Sequence, residues 1–452
     1  MAVLSLDIGT TKICALVMDN TAGTVIETMS ADNSFLPSSH PFDRQQDPEL
    51  IFRIVEMLVS ELIKKYSAFC CIGITCQMHG ILYVNAAGRA VSPLYTWQDQ
   101  SASLRYSDGE SYARYLVKFS PSPVAPGYGL ATCFYHLCTN EIPPDAVKLC
   151  VIGDYIAMRL CNSDRPAMHV TNAAGMGFFD LPNFRFDENA MKKAGLNPSL
   201  LPRLTAVPEV FGETSGGIPV CVSIGDNQAS FLGAVRDPGG SVSVNLGTGG
   251  QLSLLSSDPA GFQNLEVRPF FDGLFLLVGA SLCGGRAYAI LETFFRKVLK
   301  MAGLNDDSSL YPFMNALAVT EAGGEDPLVV NTLFAGSRAD PALRGSILNI
   351  SEDNFTPAQL VSGFLHGIAD ELYSLYLPVR ERGGACHKTL VGSGNGVRKN
   401  EPLQRILSEK FNMPLLLPPF EEEAAFGAAL FALACTGSFG SVLEAQSSGG
   451  VS

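Results

Sequence analysis

Two short segments of the sequence share a pattern that suits the binding of phosphate groups. Residues 7–12 read DIGTTK, and residues 245–249 read NLGTG. In each segment a glycine lets the main chain approach a ligand closely, and a threonine adds a hydroxyl donor to the backbone N–H groups. One such turn also occurs in ordinary β-hairpins. Two matching turns, about half the chain apart, predict two hairpins that face each other across a cleft and bind a polyphosphate.

Two aspartates follow strand-like segments and carry candidate acid–base or metal chemistry. Asp7 ends the first apolar segment, where a hydrated Mg²⁺ would bridge the protein and a phosphate chain. Asp226 follows the apolar residues 220–225 and is placed to accept a proton. Asp226 is equally suited to be the N-cap of a helix that begins at Asn227, and the two roles are compatible.

Further candidates lie in three loops. Residues 392–396, GSGNG, follow a strand-like segment and precede a helical one, which is where α/β sheets bind ligands. Their glycine spacing differs from the dinucleotide fingerprint, so contact with adenosine is the better interpretation. His79 is either a core histidine or a ligand contact. Trp97, beside Gln98 and Asp99, is either a packing residue or part of a sugar-binding cluster.

The elements that must position these residues alternate between strands and helices. Strand-like segments flank both turns, and a helix begins at Asp47 and Pro48, which are typical N-cap and N1 residues. The last helix, from about Glu422, is rich in alanine and glycine, which permits close backbone approach. These patterns predict an α/β fold with a mixed sheet in each of two similar halves, divided near residues 236–240.

The composition excludes several classes of protein. Of 452 residues, 47% are hydrophobic and 17% are charged, which excludes a disordered chain. The formal net charge of −13 argues against nucleic acid or an anionic membrane as a partner. The sequence has no recognisable signal peptide or transmembrane stretch, and its 12 cysteines are scattered without a CxxC pair. We therefore expect a cytoplasmic monomer or homodimer.

Seven motifs, in order, resemble those of the FGGY carbohydrate kinases. They occupy residues 7–12, 77–80, 97–99, 225–228, 245–249, 392–395 and 423–429. The resemblance spans nearly the whole chain. It implies two actin-like (ribonuclease H-like) ATPase domains, at residues 1–237 and 238–446, each with a mixed sheet flanked by helices and with a cleft between them. One position departs from the pattern, because many relatives carry arginine where this chain has Ser101.

The resemblance also implies a reaction and its residues. ATP, with Mg²⁺, would phosphorylate the terminal primary hydroxyl of a ketose, and Asp226 would be the general base. Residues 96–99, 127–132, 172–174 and 280–285 favour sedoheptulose, giving sedoheptulose 7-phosphate; a kinase of xylulose or of another ketose or polyol is the alternative. A non-kinase actin-like ATPase is a further alternative.

The residues implied for each ligand fall into three groups. The sugar would bind Gln77, Met78, His79, Trp97, Asp99, Asp226 and Asn227. The nucleotide would bind Gly9, Thr10, Thr11, Lys12, Gly247, Thr248, Gly249, Gly392, Gly394 and Asn395. Mg²⁺ would bind Asp7 and Asp226.

Overall fold

The computed structural model describes residues 1–21, 23–66, 68–262, 264–304, 308–320, 326–337, 340, 342–382 and 387–448. Over these residues the chain divides into two compact units. The first unit contains Met1–Arg236, Arg268–Phe275 and the described part of Glu422–Ser452, and the second contains Asp237–Val267 and Leu276–Glu421. The first unit thus includes two segments that lie within the second of the two domains expected from the sequence.

The strands and α-helices are numbered in chain order. The strands are β1 (Ala2–Ile8), β2 (Lys12–Asp19), β3 (Val25–Asp32), β4 (Gln45–Gln46), β5 (Phe69–Cys76), β6 (Leu82–Val84), β7 (Leu94–Tyr95), β8 (Lys148–Cys150), β9 (Ala167–His169), β10 (Phe179–Asp180), β11 (Arg185–Phe186), β12 (Arg203–Thr205), β13 (Val210–Glu213), β14 (Pro219–Cys221), β15 (Ile224–Gly225), β16 (Ser241–Leu246), β17 (Gly250–Ser256), β18 (Glu266–Pro269), β19 (Phe275–Ser281), β20 (Val329–Asn331), β21 (Ser346–Leu348), β22 (Thr389–Ser393) and β23 (Leu415–Leu416). The helices are α1 (Pro48–Lys65), α2 (Tyr112–Leu116), α3 (Gly129–Thr139), α4 (Ile152–Leu160), α5 (Val170–Ala173), α6 (Glu188–Ala194), α7 (Asp226–Ala234), α8 (Gly284–Met301), α9 (Tyr311–Thr320), α10 (Pro357–Glu381), α11 (Asn395–Arg398), α12 (Glu401–Phe411), α13 (Glu423–Cys435) and α14 (Val442–Ser448).

The main sheet of the first unit brings both predicted functional aspartates to one edge. Its strand order is β13-β14-β5-β1-β2-β3, and β15 also pairs with β5. Strand β1 is antiparallel to β2 and parallel to β5, with Asp7 opposite Thr75. Strand β15 is also parallel to β5, with Gly225 opposite Cys76. Parallel strands have their carboxyl ends at the same edge of a sheet. Asp7, near the end of β1, and Asp226, directly after β15, therefore lie at the same edge.

The main sheet of the second unit repeats this local arrangement. Its order is β18-β19-β17-β16-β22-β23. Strand β16 is antiparallel to β17 and parallel to β22, as β1 is antiparallel to β2 and parallel to β5. Asn245 lies opposite Ser393 in this sheet, so the 247–249 turn and the loop after β22 share one edge. The predicted mixed sheets and the repeated hairpin are therefore confirmed.

Helix α13 packs directly against α7 and β5 within the first unit. A Cβ atom on Gly427 would lie 1.9 Å from the carbonyl oxygen of Ala229 in α7, and one on Gly73 in β5 would lie 2.2 Å from the carbonyl oxygen of Ala428. Only glycine allows backbones to approach this closely. The small residues of the last helix thus permit the close contact that the sequence predicts.

Two further expectations concern membranes and thiols. Among the described residues, no helix combines the length and apolar character that crossing a bilayer requires. The cysteines that the structure describes are all unpaired, and Cys386 lies outside the described residues. Free thiols are typical of proteins in reducing compartments.

Replacing Gly427 with alanine should destabilise the first unit. The added methyl group would overlap the α7 backbone, and overpacking of this kind costs about 1–3 kcal/mol. Chemical denaturation followed by circular dichroism should show an earlier transition for Gly427→Ala. Gly239→Ala is the matched control, because a Cβ there meets nothing within 4 Å. Equal stability of the two variants would contradict the proposed role of this contact.

Candidate functional site

A pair of acidic side chains occupies the edge of the first unit's sheet. Burial, the carboxylate of Asp226 and that of Glu422 raise the pKa of Asp7 to about 7, while Lys12 acts in the opposite direction. The buried Oδ1 atom of Asp7 has no hydrogen-bond partner among the described residues. A buried carboxylate oxygen that lacks a donor and lies near a second acid suits a bound cation.

Asp226 is the first residue of α7, and Gly225 occupies the N-cap position. The helix therefore begins one residue before the position expected from the sequence. Burial raises the pKa of Asp226 to about 6, whereas the guanidinium of Arg268 and the backbone N–H groups of Asn227 and Asp226 lower it. Asp226 thus lies at the N-terminal end of α7, where the backbone N–H groups favour its ionised form.

The loop after β5 carries His79 in a left-handed conformation, with φ 74°. Its Nδ1 lies 2.6 Å from the carbonyl oxygen of Gly175, so Nδ1 must carry the proton of this hydrogen bond. Its ring stacks on Tyr128, with centroids 4.4 Å apart. These contacts fix the imidazole. The left-handed backbone conformation of His79 is one that residues other than glycine rarely adopt.

A closed set of hydrogen bonds joins the first turn to the loop after β5. The hydroxyl of Thr10 donates to Oε1 of Gln77 at 3.1 Å, Nε2 of Gln77 donates to Oε1 of Gln46 at 2.9 Å, and Nε2 of Gln46 donates to the carbonyl oxygen of Thr10 at 2.7 Å. The indole Nε1 of Trp97, a residue 46% exposed, donates to the Thr10 hydroxyl at 3.0 Å. The structure therefore brings predicted sugar-binding residues next to the predicted phosphate-binding turn.

Asp99 is only 1% exposed and is bonded on both carboxylate oxygens. Oδ1 accepts from the N–H group of Ser101 at 3.0 Å and from its hydroxyl at 2.5 Å, and Oδ2 accepts from the N–H group of Arg44 at 3.1 Å. Ser101 thus supplies two of these three donors. The structure places Asp99 inside its loop rather than on an open binding surface.

The other predicted residues of the first turn form a tight hairpin. The N–H group of Gly9 donates to the carbonyl oxygen of Lys12 at 3.0 Å, and a Cβ on Gly9 would lie 2.8 Å from that oxygen. The side chain of Thr11 is exposed. The ammonium group of Lys12 lies 2.6 Å from Oε1 of Glu422, so its charge is paired within the first unit.

The second unit contains a cavity of about 950 Å³ beside its glycine turn. Of the predicted nucleotide-binding residues, Gly247, Thr248 and Asn395 line it. Gly249, Gly392 and Gly394 are absent from its lining among the described residues. Gly394 instead has φ 76°, and a Cβ there would lie 2.7 Å from the carbonyl oxygen of Leu246, so it lets the two loops meet.

The cavity also has lining residues that the sequence analysis did not assign to the nucleotide. Tyr288 and Tyr311 stack with ring centroids 5.6 Å apart, and the Tyr288 hydroxyl donates to Oδ1 of Asn315 at 2.9 Å. Gly285, in the first turn of α8, packs so closely that a Cβ would lie 2.2 Å from the carbonyl oxygen of Gly247. An aromatic wall suits a flat base, and helix N-termini suit phosphates. In the sequence, the Gly-Gly pair at 284–285 was the signal that could have identified this part of the cavity.

The first unit is a mixed α/β unit with two neighbouring carboxylates, and the second is an α/β unit with a glycine-lined cavity. These features are typical of two-domain α/β kinases. Models of the FGGY family of carbohydrate kinases match both halves: the N-terminal domain matches residues 2–233, and the C-terminal domain matches residues 242–435. The chain belongs to the FGGY family of carbohydrate kinases. The fold, with two units that each contain a mixed sheet and helices, is the α/β fold that the resemblance implied, and solved sugar kinases share it.

Individual relatives act on different substrates. The chain is 28% identical to the sedoheptulokinase of Mus musculus, over 95% of this chain and 97% of that protein. It is 23% identical to the gluconokinase of Bacillus subtilis (strain 168), over 96% of this chain and 87% of that protein. The solved structure of ligand-bound xylulose kinase from Lactobacillus acidophilus matches with a TM-score of 0.84 at 19% identity, over 98% of this chain and 91% of that chain. This last likeness supports the fold.

Replacing Asp7 with asparagine should stabilise the metal-free protein at alkaline pH. The folded pKa of about 7 exceeds the ordinary 3.8, so ionised Asp7 destabilises the fold. This destabilisation is absent below the unfolded pKa, grows as the pH rises to the folded pKa and is constant above it. Thermal unfolding without Mg²⁺ or nucleotide should show a gain that increases between about pH 5 and about pH 7. The exposed Asp145→Asn is the control, and a pH-independent gain for Asp7→Asn would contradict the analysis.

Proposed function

We propose that this protein is a cytoplasmic, ATP-dependent ketose kinase that converts sedoheptulose to sedoheptulose 7-phosphate. The observation that carries the proposal is the partly buried Asp226 carboxylate, at the start of α7 and beside Asp7. This setting, in a chain of the FGGY family of carbohydrate kinases, supports the role of proton acceptor for Asp226. The similarity to a sedoheptulokinase over almost the whole chain supports the choice of sugar.

Asp226 is the proposed general base. Its pKa of about 6 leaves the carboxylate mostly ionised at neutral pH, yet more basic than an exposed aspartate. A general base works best when its pKa lies close to the operating pH. The carboxylate would accept the proton of the primary hydroxyl as that oxygen attacks the γ-phosphorus in line. Phosphoryl transfer depends chiefly on positioning and charge stabilisation, which the fixed carboxylate favours.

Mg²⁺ is proposed to be held through water by Asp7 and Asp226. The unpartnered oxygen of Asp7, and the raising of its pKa by the neighbouring Asp226, fit a divalent cation. Within the described part of the chain, no group of three or more His, Cys, Asp or Glu side chains forms a metal site, so water and phosphate oxygens would complete the coordination. When bound, Mg²⁺ would supply charge neutralisation for the phosphates.

The cavity of the second unit is the proposed adenosine site. A volume of about 950 Å³ lies within the range of small-molecule pockets, which is roughly 300–1,000 Å³. The aromatic pair Tyr288 and Tyr311 would contact the base. The 247–249 turn and the N-terminus of α8 would direct N–H groups toward phosphates. The first-unit turn around Thr10 is the other proposed phosphate-binding turn.

A panel of acceptors tests the reaction and the sugar together. Purified protein is given ATP, Mg²⁺ and, separately, sedoheptulose, xylulose, ribulose, fructose, gluconate or glycerol, and ADP release is followed. We expect the highest kcat/KM for sedoheptulose and a product phosphorylated on the terminal carbon, as shown by mass spectrometry and NMR. If xylulose gives the highest kcat/KM instead, xylulose replaces sedoheptulose as the proposed substrate. Equal ADP release with and without sugar would contradict kinase function.

The variant Asp226→Asn should lower kcat by about 10²-fold or more, as loss of a general base does. Asparagine keeps the size of the side chain and accepts no proton at neutral pH. Binding of ADP, measured by calorimetry, should persist because the proposed adenosine site lies in the second unit. Asp145→Asn again controls for loss of a charge. A variant that keeps most of its kcat would remove Asp226 from the role of base.

A further inference from the structure

A buried arginine lies among the residues that are proposed to bind the sugar. Arg268, in β18, is only 7% exposed. Its Nη1 atom donates to Oδ1 of Asn227 at 3.2 Å and lies 3.9 Å from Sδ of Met78. Its charge also lowers the pKa of Asp226. Arg268 therefore joins the start of α7 to the loop after β5, although neither its sequence position nor any motif draws attention to it.

The segment that carries Arg268 is firmly attached to α7. Nε2 of the buried Gln228 donates to the carbonyl oxygen of Pro269 at 3.1 Å. The next residue, Phe270, is fully buried and packs edge-on against Phe231 of α7, with ring centroids 5.5 Å apart. These contacts hold the Arg268 backbone at a fixed distance from the first turn of α7. The guanidinium is thus a rigid partner for the Asn227 side chain.

The hydrogen bond from Arg268 decides which end of the Asn227 amide faces the ligand. An amide has one acceptor end and one donor end, on opposite sides of a planar group. Because Oδ1 of Asn227 accepts from Arg268, its NH₂ group points the other way. We propose that Arg268 is a positioning residue, which fixes Asn227 as a hydrogen-bond donor to the sugar hydroxyl next to the one that reacts.

This inference rests on the proposed ketose kinase function and specifies how that site reads its substrate. Asp226 offers an acceptor, and the adjacent Asn227 offers a donor. The two together complement a terminal vicinal diol: the primary hydroxyl donates to Asp226, and the oxygen of the neighbouring hydroxyl accepts from Nδ2 of Asn227. Without Arg268 the Asn227 amide would be free to rotate. Its Oδ1 atom would then be able to face the sugar in place of the NH₂ group.

The test compares two substrates in four proteins. The substrates are the ketose that the wild type prefers in the acceptor panel and the same ketose without the hydroxyl on the carbon next to the reacting one. The proteins are the wild type, Arg268→Met, Arg268→Lys and Arg236→Met. Arg236 is the control, because it is another partly buried guanidinium of the first unit, and its Nη1 contacts the carbonyl oxygen of Gln446 at 3.4 Å.

We expect the wild type to prefer the full ketose by at least tenfold in kcat/KM. Arg268→Met should reduce that preference to less than threefold, mainly through a higher KM for the full ketose, and should leave the KM for ATP within twofold. Arg268→Lys keeps a buried cation and an N–H donor, so it should retain part of the preference. Arg236→Met should retain all of it.

Each other outcome counts against the inference in a recognisable way. If Arg268→Met slows both substrates equally, the arginine has a structural role only, and the inference is wrong. If Arg268→Met does not fold, Arg268→Lys decides: a preference in that soluble variant clearly below that of the wild type supports orientation of Asn227 by Arg268, and an unchanged preference overturns it. If the wild type phosphorylates no sugar of the panel, the proposed function itself fails, and this inference fails with it.

Discussion

The contact of α13 with α7 and β5 determines the geometry of the acidic edge. Glycines and alanines have little or no side chain, so the backbones at this contact lie within van der Waals distance of each other. The start of α7 carries Asp226, and the strand beside β5 carries Asp7. Any methyl group added at Gly427 or Gly73 would displace the elements that hold these two carboxylates in register.

The acidic edge contains ionisable groups that destabilise the folded state when charged, and this suits its proposed chemistry. Partial shielding from water raises the pKa of both carboxylates, and the charge of Asp226 raises that of Asp7 further, so ionised Asp7 weakens the folded state. Nearby charges offset part of this cost: Arg268 acts on Asp226, and Lys12 acts on Asp7. Sites that bind cations and phosphates commonly keep such unfavourable interactions, because ligand binding then relieves them.

Local signals in the sequence predicted much of the architecture. The Asp47-Pro48 start of α1, the two glycine–threonine hairpins and the small-residue helix α13 all occur as expected. Features that depend on contacts between residues far apart in the sequence were not predicted. The role of Arg268 appears only when β18 meets α7, and the burial of Asp99 depends on donors from Ser101 and Arg44. Likewise, the pKa of Asp226 depends on burial, which no local motif encodes.

The first unit is built from three separate stretches of chain, and this has a consequence for its biosynthesis. The stretch that supplies α13 follows the whole of the second unit in the sequence. On the ribosome, β5 and α7 therefore emerge long before the helix that covers them, and their apolar faces must wait for the final segment. Translation that stops near the middle of the gene would leave a fragment that lacks part of its own core, not an independent N-terminal domain.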